Sequence, residues 1–111
     1  MIVRRMCVAD ADGVARLVRE MRYQATPQDI AHRFAAVKAL PEHELFVAER
    51  VGVIVGFAQV HTVQRIHTGA YVSVPALVVA AEWRAQGVGK GLLQVCKAWA
   101  QERGYPELRL P

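Results

Sequence analysis
The chain is 111 residues long, 53% hydrophobic and 22% charged, and eleven arginines and three lysines against ten acidic residues leave a formal charge of +4. That length buries one core but not two, so a single domain over residues 1–111 is expected, and no apolar run of about 18 residues suggests a membrane span. The basic balance favours anionic partners, yet no basic run is interleaved with aromatics, which argues against nucleic acid as the ligand.

From the N-terminus, Ile2 to Arg5 reads as a short strand, and Arg4, Arg5, Asp10 and Asp12 interrupt any leader pattern, so a cytoplasmic protein is expected. Asp10-Ala11-Asp12 offers N-caps for a helix carrying Val14, Leu17, Val18 and Met21. Thr26-Pro27 is a cap followed by proline at the first helical position, and Ile30, Phe34 and Val37 with Ala35 or Ala36 predict a second helix ending before Pro41. Leu45–Arg50 and Val53–Gln64 flank Val51-Gly52 as a hairpin, with Gly56 marking a bulge or a close approach, and Arg65–Gly69 forms the next turn. Cys7 and Cys96 lack metal-ligand spacing, so both read as buried thiols outside any metal site.

The sharpest pattern lies between Val72 and Arg103. Val72, Val74, Ala76, Leu77, Val78 and Val79 form a nearly continuous apolar strand. After Arg84-Ala85-Gln86-Gly87-Val88-Gly89, apolar residues recur at Leu92, Val95, Cys96 and Trp99 with helical period, until Gly104 and Pro106 stop the helix. A glycine-rich turn thus opens a helix directly after a buried strand. The first N–H groups of a helix have no partner inside it, so Gln86, Gly87, Val88, Gly89 and Lys90 can present N–H groups to a phosphate, with Arg84 and Lys90 adding charge. The P-loop spacing fails, because Gly91 follows Lys90 where Ser or Thr is needed, and Leu92 occupies the third small position of a dinucleotide fingerprint.

The strand, the Arg84–Gly87–Gly89 spacing and the amphipathic helix together resemble the GNAT acetyltransferase superfamily, with Leu77-Val78-Val79 standing where the family's motif strand ends. The Val-Ala-Glu and Val-Gly-Phe strands of the hairpin and the opening strand and helix add to the likeness. The resemblance implies an α/β fold with a mixed, mostly antiparallel central sheet flanked by helices. It covers nearly all of this chain but only the earlier part of a typical family domain. A C-terminally truncated sheet is therefore expected, with Glu107–Leu110 starting a last strand and a homodimer completing it.

It further implies that acetyl-CoA is the cosubstrate and a primary amine the acceptor. The pantetheine arm would pair with the backbone of Leu77, Val78 and Val79, near Pro75, and the pyrophosphate would sit on Arg84, Gln86, Gly87, Val88, Gly89 and Lys90. The Leu77 N–H would stabilise the oxyanion. Ser73 stands where some members carry a catalytic carboxylate and would relay a proton through water. The first two helices would border the acceptor, near Arg16, Arg19, Glu20, Arg22, Tyr23, Gln24 and His32, most of which read first as a solvated helix face. His61 and His67, the imidazoles nearest the motif strand, read first as strand-edge residues, and Tyr71 and Tyr105 as structural. The lack of an evident general acid leaves an alternative open, a degenerate GNAT domain that binds CoA or a protein partner without catalysis.

Overall fold
A computed structural model describes residues 1–110; Pro111, where the expected domain ends, lies outside the described residues. Five strands form one sheet in the order β1-β2-β3-β4-β5, with β1 Ile2–Arg5, β2 His43–Arg50, β3 Val53–Arg65, β4 Gly69–Val79 and β5 Leu108–Arg109. The first four pair antiparallel and β5 joins β4 in parallel. Helices α1 (Ala11–Glu20) and α2 (Pro27–Lys38) cover one face and α3 (Val88–Glu102) the other.

Alternation along the strands sorts the core into two layers. Val47, Ile54, Phe57 and Val78 meet Val14, Leu17, Ile30 and Phe34 on the α1/α2 side, while Phe46, Ala48, Val60, Val72 and Val74 meet Val88, Leu92, Cys96 and Trp99 under α3. The helix starts follow the sequence signals. Thr26 and Asp29 exchange side-chain and backbone hydrogen bonds at 3.0 and 2.9 Å, a capping box with Pro27 at the first helical position. Asp10 does something different from the expected cap: buried, it accepts from both Arg4 Nη atoms at 2.8 Å and from the Cys7 N–H at 2.8 Å, pinning the turn between β1 and α1. The Arg4 fork also donates to Glu49 on β2 at 2.8 Å. Some expected core positions lie outside: Ala35 and Ala36 are exposed, because α2 buries only the narrow Ile30–Phe34 stripe, Met21 follows the end of α1 into solvent, and Cys7, expected to be buried, is exposed in the turn before α1.

Two irregularities set the registers. Opposite Ala48 and Glu49, β3 carries one extra residue, Val55, beside Gly56. A Cβ on Gly56 would sit 2.9 Å from the Val78 carbonyl and 3.0 Å from side chains of Val88 and Leu92, so both readings of this glycine hold. On β4 the extra residue falls at Val74-Pro75, opposite Val60, where the missing proline N–H disrupts no ladder.

Candidate active site
The ladder between β3 and β4 determines what the outer edge of β4 offers. The Ala80 N–H donates to the Val55 carbonyl at 2.8 Å, which makes Val79–Gly56 and Leu77–Ala58 the pairs that do not bond each other. The N–H and C=O of Leu77 and Val79 therefore point away from β3, while Val78 faces inward. Among the described residues β5 pairs β4 only at Val72 and Ser73, so nothing occupies this edge from Val74 to Val79.

Where β4 ends, the chain turns through Ala85 and Gly87, both left-handed at φ +61° and +85°, before α3 begins. Glycine adopts that conformation freely, whereas alanine in it is strained. The first intrahelical bond runs from Gly91 N–H to Gly87 C=O at 3.0 Å, so the N–H groups of Val88, Gly89 and Lys90 have no acceptor within the helix. No acidic residue occupies this first turn, although the helix dipole favours one there. Arg84, Gln86 and Lys90 are exposed, and neither cation forms an ion pair among the described residues. A Cβ on Gly89 would rest 3.6 Å from Val79, an ordinary contact.

On the α1/α2 face, a row of directly opposed residues crosses four strands: His43, His61, Ser73 and Arg109. The imidazoles of His43 and His61 stack with centroids 4.7 Å apart and planes 9° from parallel. His61 Nδ1 lies 3.1 Å from the Thr62 carbonyl, which only accepts, so Nδ1 carries the hydrogen and Nε2 of the neutral ring has a free lone pair. Gln59 Nε2 donates to His43 Nδ1 at 3.2 Å. Burial holds the His43 pKa below the usual imidazole value; repulsion from His61 when that ring is protonated acts the same way, against the attraction of Glu42. The sequence placed Ser73 near the chemistry but did not join it to His61 or single out His43.

Beside this row two cavities run together beneath α2. The smaller one, about 170 Å³, is walled by Val14, Ile30, Phe34, Leu45 and Phe57, with Arg33 and Gln59 as its polar groups. The larger one, about 480 Å³, shares Met6, Phe34, Val37 and Leu45 with it and adds Arg5, Lys38 and Arg103. Of the helix residues expected near an acceptor, Arg16 instead donates to the Ile54 carbonyl at 2.6 Å, Arg19 to the Ala25 carbonyl at 2.9 Å, and Glu20 accepts from the Ala81 N–H at 3.0 Å. These three brace α1, while Arg22, Tyr23, Gln24 and His32 are solvent-exposed. His67 lies in the β3–β4 turn, Tyr105 accepts from Gln64 at 3.2 Å, and Tyr71 lies under the Arg109 guanidinium at 3.9 Å.

The model of the acetyltransferase (GNAT) family matches residues 12–110. Among solved structures, a GNAT family acetyltransferase from Staphylococcus aureus superposes with a TM-score of 0.88 at 18% identity, over 99% of this chain and 84% of that one. Glucosamine-6-phosphate N-acetyltransferase from Arabidopsis thaliana gives 0.86 at 18% identity, over 99% and 80%. An aminoglycoside 6'-N-acetyltransferase from Acinetobacter haemolyticus gives 0.85 at 13% identity, over 100% and 79%. At such identities the likeness is one of fold. No curated protein matches the chain by sequence. With a family model covering nearly its whole length and the family's mixed sheet, the chain belongs to the acetyltransferase (GNAT) family.

Proposed function
We propose that the chain is an acetyl-CoA-dependent N-acetyltransferase that moves an acetyl group to a primary amine. Family membership supports acetyl transfer. The observation that carries the cofactor reading is the open edge of β4, with the polar groups of Leu77 and Val79 turned outward, running straight into a helix start with unpaired N–H groups. In this reading the amides of the pantetheine arm pair with Leu77 and Val79 while Val78 holds the strand in the sheet. Gln86, Gly87, Val88, Gly89 and Lys90 cradle the pyrophosphate, with Arg84 and Lys90 as charges. Bound acetyl-CoA supplies the activated acyl group. The Leu77 N–H is the donor for the acyl oxygen, and Ser73 passes the amine's proton, through water, to His61 Nε2. The protein works in the cytoplasm as a homodimer paired through β5; a monomer in sedimentation at micromolar concentration overturns that last part.

Calorimetric titration of acetyl-CoA into the wild type and Gly89→Asp tests the reading. The added Cβ fits the free protein, so a folded variant that loses saturable binding supports the pyrophosphate cradle. A folded wild type that binds no acetyl-CoA overturns it. A second reading, binding without turnover, draws on Tyr71 and Tyr105, both engaged away from the open stretch of β4 from Val74 to Val79, which leaves no tyrosine there among the described residues to protonate a departing thiolate. Release of free thiol in the presence of an amine panel separates the two. The fold does not choose the acceptor, since neighbours of equal likeness are named for an amino-sugar phosphate and for aminoglycosides.

A further inference from the structure
We infer that the smaller cavity under α2 selects the acceptor, and that the acceptor is an amine carrying both an apolar side chain and an anionic group, the class represented by large hydrophobic amino acids. This rests on the transferase reading for the reaction but not for the binding. The cavity abuts Gln59, whose direct partner on β4 is Ala76, next to Leu77, so a ligand seated in it has the open strand edge one strand away. Its walls are apolar, and at about 170 Å³ it is near the roughly 150 Å³ at which an apolar cavity admits a benzene ring. Gln59 donates its Nε2 to His43, and its Oε1 has no hydrogen-bond donor among the described residues, leaving an acceptor for an ammonium group.

The charge pattern selects the rest of the ligand. Arg33 lines the cavity and makes no hydrogen bond or ion pair among the described residues; Asp29, one turn earlier, is engaged in the Thr26 cap. In the adjoining cleft Lys38 lies 5.5 Å over the Phe34 ring and Arg103 4.2 Å over Trp99, while the carboxylate of Glu44 is held by Arg5 at 3.3 Å. Cations thus outnumber free carboxylates around the groove, which opposes polyamines and favours a carboxylate received by the Arg33 fork.

The test uses phenylalanine, phenethylamine, alanine and spermidine as probes. Each is titrated into the protein alone, into the protein saturated with CoA, and then assayed for thiol release from acetyl-CoA. Phenylalanine is expected to bind and react best, with phenethylamine and alanine weaker by about 10- to 100-fold for lack of the charge-assisted bond or the apolar contact. Arg33→Gln should erase the phenylalanine–phenethylamine difference, and Val18→Phe, which fills the cavity from its rim, should abolish phenylalanine binding; both should leave acetyl-CoA titration unchanged. Spermidine or phenethylamine matching phenylalanine, or an Arg33→Gln variant that keeps the difference, overturns the assignment. Acetyl-CoA binding without phenylalanine binding also overturns it and leaves the transferase reading standing. Phenylalanine binding without acetyl-CoA binding supports the groove while removing the transferase reading.

Discussion
The two faces that meet at β4 are built from different materials. Along the outer edge of β4 and at the Gly87 turn, the groups on offer are main-chain: the outward N–H and C=O of Leu77 and Val79 and the free N–H groups at the helix start. Toward α1 and α2 they are side chains, the His43–His61–Ser73 row and the Arg33–Gln59 cavity. A backbone site demands only conformation, so many sequences can supply it. A side-chain site demands particular residues brought from distant strands, and it can differ between proteins of one fold.

The largest test of this contrast is Gly87→Val. A β-branched residue at φ +85° costs about 2 kcal/mol or more and redirects the N–H groups, so acetyl-CoA affinity should fall at least about 100-fold in calorimetry. Leu77→Met and Val79→Ile should leave that affinity within about threefold, since the main chain is retained; an equal loss in these variants would break the backbone account. On the other face, His61→Ala and Ser73→Ala should lower kcat by about 10- to 100-fold with acetyl-CoA binding unchanged. A parallel loss of cofactor binding would mean that the two faces are not separable.

Smaller effects concern the supports. Hydrogen bonds from Arg4 lower the Asp10 pKa in the folded chain, so the native state binds that proton less readily than the unfolded one. The stabilisation is complete above the unfolded carboxylate value of about 3.9 and is lost as the pH falls through the folded value. Asp10→Asn should cost about 1 to 2 kcal/mol in denaturant titration at pH 7, modest because Arg4 is 34% exposed and screened, and should flatten the acid limb. Least disruptive is thiol labelling of the folded protein at pH 8: Cys7 is exposed and should react, whereas burial pushes the Cys96 thiol up to about 11 and should keep it silent. Two equivalents labelled at equal rates would show that the α3 layer opens.

The same contrast explains what the sequence disclosed. The strand, turn and helix from Val72 to Glu102 were legible because glycine, proline and apolar period are local demands of the backbone. The row of His43, His61 and Ser73 was not. Counted back from Arg50–Val53 without interruption, His43 would meet Val60, which faces α3; the single extra residue at Val55 brings it to His61. Nothing local in Val-Ile-Val-Gly fixes where a bulge falls, although Gly56 pointed to its neighbourhood. The left-handed Ala85 was equally hidden, because alanine has no preference for that conformation. The cavity under α2 depends on how that helix packs on α1 and β2, which periodicity leaves undefined.

Pro75 gives the chain something like a dislocation in a crystal. Below the Val74-Pro75 bulge, the residues of β4 that lie under α3 are Val72 and Val74; above it they are Leu77 and Val79. One surplus residue thus shifts the strand by half a repeat, and the two halves of a single ribbon answer to different rules. The lower half is committed to holding β5, and the upper half has its odd-numbered peptide groups directed outward. Because the offset is a whole residue, no gradual drift can create or erase it. While the bulge is kept, side-chain changes around it leave the outward set of peptide groups the same.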